Sequence, residues 1–274
     1  MKKNYLFILL LLANIYLFSQ EDDLVLHLKF KKTFEVEGRQ GITADSNFYY
    51  VSGSKSLYKY DKHGKLILKN ENPFQGFSVE VNHIGDIDVN NGEIFAGCEW
   101  FEDGRGKNIQ IAVYDVETLK LIRTINWSEK SGQVEVSGIT IDKKNNLIWM
   151  TDWVNGSYIY KYDLLSGDYL GKVHLKPVPQ YQQGILSYKN NLFLTADDGD
   201  AEENENDNLY SIIPTEKTNV KVKLQKEFNE FKRTGEIEGL TIDPASNELL
   251  VLMNRGRRII FGMPKGFYPG YDKE

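Results

Sequence analysis

The chain contains one cysteine, Cys98, which excludes an internal disulfide and any zinc centre built from several thiolates. Proline is scarce, at 7 residues, and no Pro-rich or Ser-rich linker divides the sequence. No segment longer than two turns carries apolar residues at helical spacing. Basic clustering is weak: 33 Lys and Arg stand against 39 Asp and Glu, a net charge of −6, which argues against a nucleic-acid partner. What is plentiful is aromatic: 16 Tyr, 14 Phe and 4 Trp among 274 residues, side chains that fit the pleated surface of a sheet. With 41% hydrophobic and 26% charged residues, the composition is that of a folded β-rich domain rather than a disordered chain.

The amino terminus reads as an address. Met1-Lys2-Lys3 is basic, residues 5–19 are largely apolar, and Gln20-Glu21-Asp22-Asp23 turns abruptly acidic. This is the order of a secretory signal, and its apolar run is shorter than the ~20 residues of a spanning helix. We expect a signal at 1–20, cleavage after Ser19 or Gln20, and a secreted or periplasmic product with no membrane span. An uncleaved amino-terminal anchor is the alternative. Loss of Lys2 and Lys3 would raise the acidic excess from six to eight.

The remainder, 21–274, reads as a single domain made of repeats. QGITAD at 40–45, SGITID at 137–142 and EGLTID at 238–243 are near copies, QGILSY at 183–188 is a weaker one, and HIGDID at 83–88 a fifth. Anchored on Gly41, Ile84, Gly138, Gly184 and Gly239, the intervals are 43, 54, 46 and 55 residues. Each anchor is followed by strand-like runs separated by turn residues, and the third run of the first three units ends in Tyr-Asp. Four short antiparallel strands at a period near fifty predict an all-β fold, a β-propeller of five blades, with six as the alternative. The fifth unit lacks a fourth strand. Residues 24–33, where Leu24, Leu26, Leu28 and Phe30 alternate with wetter neighbours, are predicted to supply it and close the ring.

In a propeller, residues before strand one and after strand two meet at one mouth of the central channel. The first group is Gln40, His83, Ser137, Gln183 and Glu238, all polar or titratable. The second includes Glu99-Trp100, Asp152-Trp153, Asp197-Asp198 and Asn254-Arg255. Convergent polar groups of this kind predict a ligand site, built from Gln40, His83, Ser137, Gln183, Glu238, Trp100, Trp153 and Arg255. A hard cation such as calcium would draw oxygen ligands from Glu238, Asp152, Glu99, Asp197 and Asn254. Water-filled polarity that merely satisfies backbone groups is the competing reading. The acidic stretch 197–207 holds seven carboxylates without EF-hand spacing and reads as a solvated loop. Arg255, Arg257 and Arg258 form a small basic cluster that could pair an anion. Cys98 reads as a buried inert thiol.

Blade three, GITIDKKNNLIWMTDWVNGSYIYKYDLLSG, resembles the YWTD, NHL and SMP-30/gluconolactonase-like propellers over roughly residues 40–262. The last of these implies a metal-dependent lactonase whose metal would sit near Glu238, Asp152 and Asn254. Glu238-Gly239-Leu240 is also similar to a motif of SdiA-regulated and phytase-like propellers, which carry a metal near the channel. Gln40-Gly41-Ile42 and Trp100 resemble the plant-type glutaminyl cyclases, five-bladed propellers, from which His83 and Ser137 depart where that family has Glu and Trp. The expected function is binding of a small molecule, cation or polypeptide at the mouth. The alternatives are a calcium-type lactonase or esterase with His83 as base, a cyclase-like enzyme, and a protein-binding scaffold.

Overall fold

The computed structural model describes residues 24–263 apart from 27, 29, 155, 198–206, 215–217, 229–235 and 254–258. The expected signal at 1–20, most of the acidic stretch 197–207, and Asn254, Arg255, Arg257 and Arg258 lie outside these residues.

After β1 (Lys32–Glu35), the chain forms five successive antiparallel units. Blade one is β2 (Gly41–Ala44), β3 (Phe48–Gly53), β4 (Ser56–Asp61) and β5 (Leu66–Asn70). Blade two is β6 (His83–Asn90), β7 (Glu93–Glu102), β8 (Arg105–Asp115) and β9 (Leu121–Asn126). Blade three is β10 (Ile139–Asp142), β11 (Leu147–Met150), β12 (Tyr158–Asp163) and β13 (Tyr169–Lys176). Blade four is β14 (Gln182–Tyr188), β15 (Asn191–Ala196), β16 (Asp207–Ile212) and β17 (Asn219–Phe228). Blade five is β18 (Ile237–Asp243), β19 (Glu248–Met253) and β20 (Ile259–Met263), completed by β1. The outer strands β13 and β17 pair in parallel, which joins blades three and four into one eight-stranded sheet. The inner strands β2, β6, β10, β14 and β18 neighbour one another in a closed cycle. This is a β-propeller, and the described residues hold no sixth sheet.

The repeated aspartates make the turns. At the end of a first strand, Asp45 Oδ1 accepts from Phe48 N at 2.7 Å, and Asp142 and Asp243 hold Asn145 N and Ala245 N in the same way. At the end of the third strand, Asp61, Asp115 and Asp163 accept from His63 N, Thr118 N and Ser166 N. These are Asx turns, in which a short carboxylate substitutes for backbone pairing. Their hydrogen bonds hold the carboxyls of Asp61, Asp115 and Asp163 below the usual range. The Tyr-Asp ending of the third strand thus combines a core tyrosine with a turn-forming acid.

Each junction between blades has its own apolar core. Tyr50 and Leu57 of blade one pack with Ile84, Ile94 and Tyr114 of blade two. Ile109, Ile111 and Val113 pack against Ile139, Ile148 and Tyr160 of blade three. Trp149 and Ile159 meet Leu192 and Leu194, Phe193 and Leu209 meet Leu240 and Val251, and Leu250 and Leu252 meet Ile42 and Val51. Ile111 is fully buried in the second of these. Ile111→Val is expected to lower unfolding stability by ~1 kcal/mol, read as a lower urea midpoint at unchanged slope. An unchanged midpoint would mean that this junction is loosely packed.

Ring closure differs in register from the expectation. The closing strand is 32–35, with Lys32 opposite Gly262 and Glu35 opposite Ile259, rather than 24–33. The alternation at 24–26 reflects packing instead of pairing in the ladder: Leu24 and Leu26 are buried in the core between blades four and five. Leu26 N donates to Gln225 Oε1 at 3.1 Å.

Blade two is also displaced from its expected alignment. Ile42 pairs with Val51, Ile185 with Leu194 and Leu240 with Val251; the corresponding pair in blade two is Ile87 with Ala96. Asp86, and not Ile84, therefore stands where the other blades have Gly41, Gly138, Gly184 and Gly239. Its carboxyl lies on the propeller axis. Oδ1 accepts from Ile87 N at 2.8 Å, Oδ2 from Ile185 N at 3.3 Å, and Ile42 N adds a third donor. A methyl group at Gly41 would stand 2.6 Å from Asp86 Oδ1, and one at Gly239 would collide with it. The glycines make room for this one buried acid, whose pKa burial raises well above the ordinary value.

Candidate functional site

The corrected register places Gln40, Gly85, Ser137, Gln183 and Glu238 in one ring, each just before the anchor position. His83 belongs two residues earlier, in an outer ring with Glu135, Tyr181 and Glu236. Blade two carries Gly85 in the inner ring, where a side chain would meet the carbonyls of Val136 and Ser137.

A hydrogen-bonded chain crosses the mouth from three blades. His83 Nε2 lies 2.7 Å from Gln40 Oε1. An amide oxygen only accepts, so Nε2 carries the hydrogen and donates. The other end of the Gln40 amide, Nε2, donates to Glu238 Oε1 at 3.3 Å. Behind the ring, His83 Nδ1 is 3.3 Å from Glu99 Oε1. The His83 side chain is 20% exposed and that of Glu99 is fully buried. The imidazole therefore links a buried acid to solvent.

Glu99 does not stand alone. Its Oε2 accepts from Val136 N at 3.0 Å, and its carboxyl is hydrogen-bonded to that of Glu135. Glu135 Oε2 in turn accepts from Trp153 N at 2.6 Å. Burial, then the nearby Glu99 charge, pushes Glu135 well up. Burial raises Glu99 too, opposed by the hydrogen bond to His83. Two carboxyls in contact away from water hold a proton between them, because both cannot ionise cheaply. His83, Glu99 and Glu135 thus form a hydrogen-bonded row with one end at the surface.

The other expected residues are distributed as follows. Glu238 is buried beside Gln40. Ser137 is turned inward, 3.0 Å from Thr151 Oγ1, and Gln183 is half-buried on the inner ring. Asp152 is fully buried and accepts from Val134 N and Val154 N, at 3.1 and 3.0 Å, so it organises the loops of blade three. Asp197 shares a hydrogen bond with Asp207, whose pKa burial and the Asp197 charge raise to about 8. Trp153 stacks at 5.2 Å on Tyr181, and its indole nitrogen is buried without an acceptor among the described residues. The Trp100 ring nitrogen reaches Glu102 at 3.4 Å. Phe101, 5.6 Å from the His83 ring, flanks the mouth. The Cys98 thiol is buried, and burial pushes it up to about 12.

Glu99 and Asp152 lie within electrostatic reach of each other, and Glu238 and Asp197 stand on other blades. Among the described residues no three His, Cys, Asp or Glu side chains form a group fit to hold a metal ion. Their oxygens face backbone N–H groups and neighbouring side chains on separate blades.

Glu135, Tyr181 and Phe101 were not singled out in the sequence. A signal for Glu135 was present: VEVSG at 134–138 parallels GEIEG at 235–239, and Glu135 matches Glu236 in that frame.

No protein-family model matches the chain, and no curated protein matches it. Among solved structures, a glutaminyl cyclase from Myxococcus xanthus superposes with a TM-score of 0.62, covering 88% of this chain and 97% of that one at 10% identity. A mitotic checkpoint complex chain matches at TM-score 0.47 and 8% identity, covering 90% of this chain and 95% of that one. The likeness to the cyclase is one of fold, and no family model carries the resemblance to the YWTD, NHL or SMP-30-like propellers.

Proposed function

We propose that this propeller binds a small molecule bearing an amine or amide, foremost the free amino end of a peptide, at the mouth formed by Gln40, His83 and Glu238. The chain of hydrogen bonds through Gln40 carries the reading. An amide held between an imidazole and a carboxylate presents a donor and an acceptor side by side, and a ligand's C=O and N–H can pair with them in place of Glu238 and His83. The surrounding carboxyls favour a cationic nitrogen. Phe101 and the Trp153–Tyr181 pair offer apolar and cation–π contact to its neighbours. The fold shared with a glutaminyl cyclase supports the choice of a glutaminyl peptide as probe.

Calorimetric titration with a glutaminyl dipeptide amide tests this. Binding is expected for the free amine, with affinity at least about tenfold weaker for the N-acetylated peptide and for Gln40→Ala. Equal affinity of the acetylated peptide, or of Gln40→Ala, would overturn it.

The carboxyl pair hydrogen-bonded behind His83 favours a second reading, an enzyme in which His83 moves a proton to or from bound substrate with Glu99 and Glu135 behind it. The dipeptide amide and a panel of lactones and aryl esters are the substrates to try. Turnover lost by roughly 10²-fold or more in His83→Ala would support it. No turnover of any of them, or turnover that survives this substitution, would sink it.

A further inference from the structure

The opposite end of the channel is a separate chamber. The inner strands run from the mouth to turns on the far face, and between their ends lies a cavity of about 390 Å³. That volume is in the range of small-molecule sites. The buried Asp86 carboxyl, bonded to backbone of blades one, two and four and pressed against Gly239 of blade five, fills the axis between this cavity and the mouth. A ligand at one end therefore does not reach the other.

Three lysines and two aspartates line the chamber. Lys143 and Lys144, on the turn after β10, and Lys189, on the turn after β14, line it. Lys144 Nζ donates to Asn190 Oδ1 at 2.8 Å, which leaves two of its three hydrogens to offer. Both acids on the wall are engaged: Asp142 accepts from Asn145 N and Asn145 Nδ2, at 3.1 and 2.7 Å, and Asp88 has its acceptor positions filled. Oδ1 takes Val89 N and Thr43 Oγ1, at 2.8 and 3.2 Å; Oδ2 takes Ile141 N and Thr140 Oγ1, at 2.7 and 2.8 Å. Those donors screen its charge from an incoming anion. Leu186 and Ile242 give the same cavity an apolar wall.

We propose that this chamber is a second binding site, for a small organic carboxylate with an apolar body. Its carboxylate would sit among Lys143, Lys144 and Lys189, and its body against Leu186 and Ile242. Lysine supplies a mobile point charge rather than a fixed fork, which suits small acids of varied shape. Nothing in this assignment depends on what binds at the mouth.

Benzoate is the probe, with benzyl alcohol as the uncharged body and inorganic phosphate as the charge without a body. Calorimetric titration of the full chain is expected to show benzoate binding, with both controls at least about tenfold weaker. Lys143→Glu/Lys144→Glu, on an exposed turn, should weaken benzoate at least about tenfold, and Gln40→Ala should leave it unchanged. Circular dichroism of the double variant checks that the fold is intact. Lys189→Gln, alone, should weaken benzoate in the same direction. Absence of benzoate binding, equal binding of phosphate or of benzyl alcohol, or unchanged affinity in the lysine variants would overturn the proposal. Loss of benzoate binding in Gln40→Ala would also overturn it, by placing the acid at the mouth.

Discussion

Gly239→Ala is expected to destabilise the fold by about 3 kcal/mol or more, the upper end of what overpacking usually costs. A methyl group there collides with the Asp86 carboxylate and stands 2.7 Å from Gly41 Cα. Neither neighbour can retreat easily. Asp86 is held by donors from three blades, and Gly41 is backbone at the start of an inner strand. The damage should be partly relieved by adding Asp86→Gly, which empties the space the methyl needs while leaving the Gly41 contact. In a double-mutant cycle the coupling should be at least ~1 kcal/mol in the rescuing direction. Additive effects would mean that Asp86 does not occupy the axis. Asp86→Gly alone is also expected to destabilise, because it strands backbone N–H groups that the carboxylate now satisfies.

The second large effect is on pH. Burial raises Asp86 and Glu135 well above the ordinary carboxyl value, and burial together with Asp197 raises Asp207 to about 8. A carboxyl whose pKa is higher folded than unfolded binds more protons in the folded state, so stability falls as pH rises. The Asp207 contribution is complete below the unfolded value of ~4 and is lost as pH rises through about 8. Asp61, Asp115 and Asp163, held low by their turns, act in the opposite sense, and only below ~4. Between pH 5.5 and 9 the raised group therefore dominates. The melting midpoint should fall on the order of 10 °C across that range, since several kcal/mol at ~2–4 °C each are involved. Asp207→Asn should flatten the profile. A midpoint that is level or rising from pH 5.5 to 9, or a slope unaltered in Asp207→Asn, would contradict these assignments.

The propeller was legible because its signals are local and repeated. Glycine near the start of four of the five inner strands, aromatic residues on strands two and three, and aspartate at many of the turns recur along the chain, and each performs one physical task. The blade-two register was not legible, and the reason is geometric. Blade two joins its first two strands through two residues, Asn91 and Gly92, both at positive φ (50° and 80°), as a tight hairpin requires. Blade three uses four residues, 143–146, at the same place. Counting back from strand two therefore placed the anchor two residues early, at Ile84 instead of Asp86. A shift of two keeps every side chain on its own face, so the apolar pattern gave no warning. The closing strand was misplaced for a related reason: alternation at 24–26 reports burial, and burial occurs between blades as well as in a ladder.

The mouth was legible as a set of polar positions and not as a network. Gln40, His83 and Glu238 were identifiable because they stand at or near the start of inner strands. That they join in one chain while Asp152 and Ser137 turn inward depends on which side chain fills each gap. Gly85 is crowded by the Val136 and Ser137 carbonyls, and His83 reaches Gln40 from the first position of β6. Glu135 escaped notice because it lies in the irregular stretch before β10, where no strand period marks it.

Nuclear magnetic resonance offers the most direct test that the Gln40–His83–Glu238 chain is where a ligand binds. Titrating the labelled protein with glutaminyl dipeptide amide should move the Gln40 side-chain amide and the His83 ring resonances to saturation along one curve. The backbone amides of Lys143, Lys144 and Lys189, beyond Asp86, should stay in place. Saturating shifts that appear at those lysines and leave Gln40 and His83 unmoved would contradict the account.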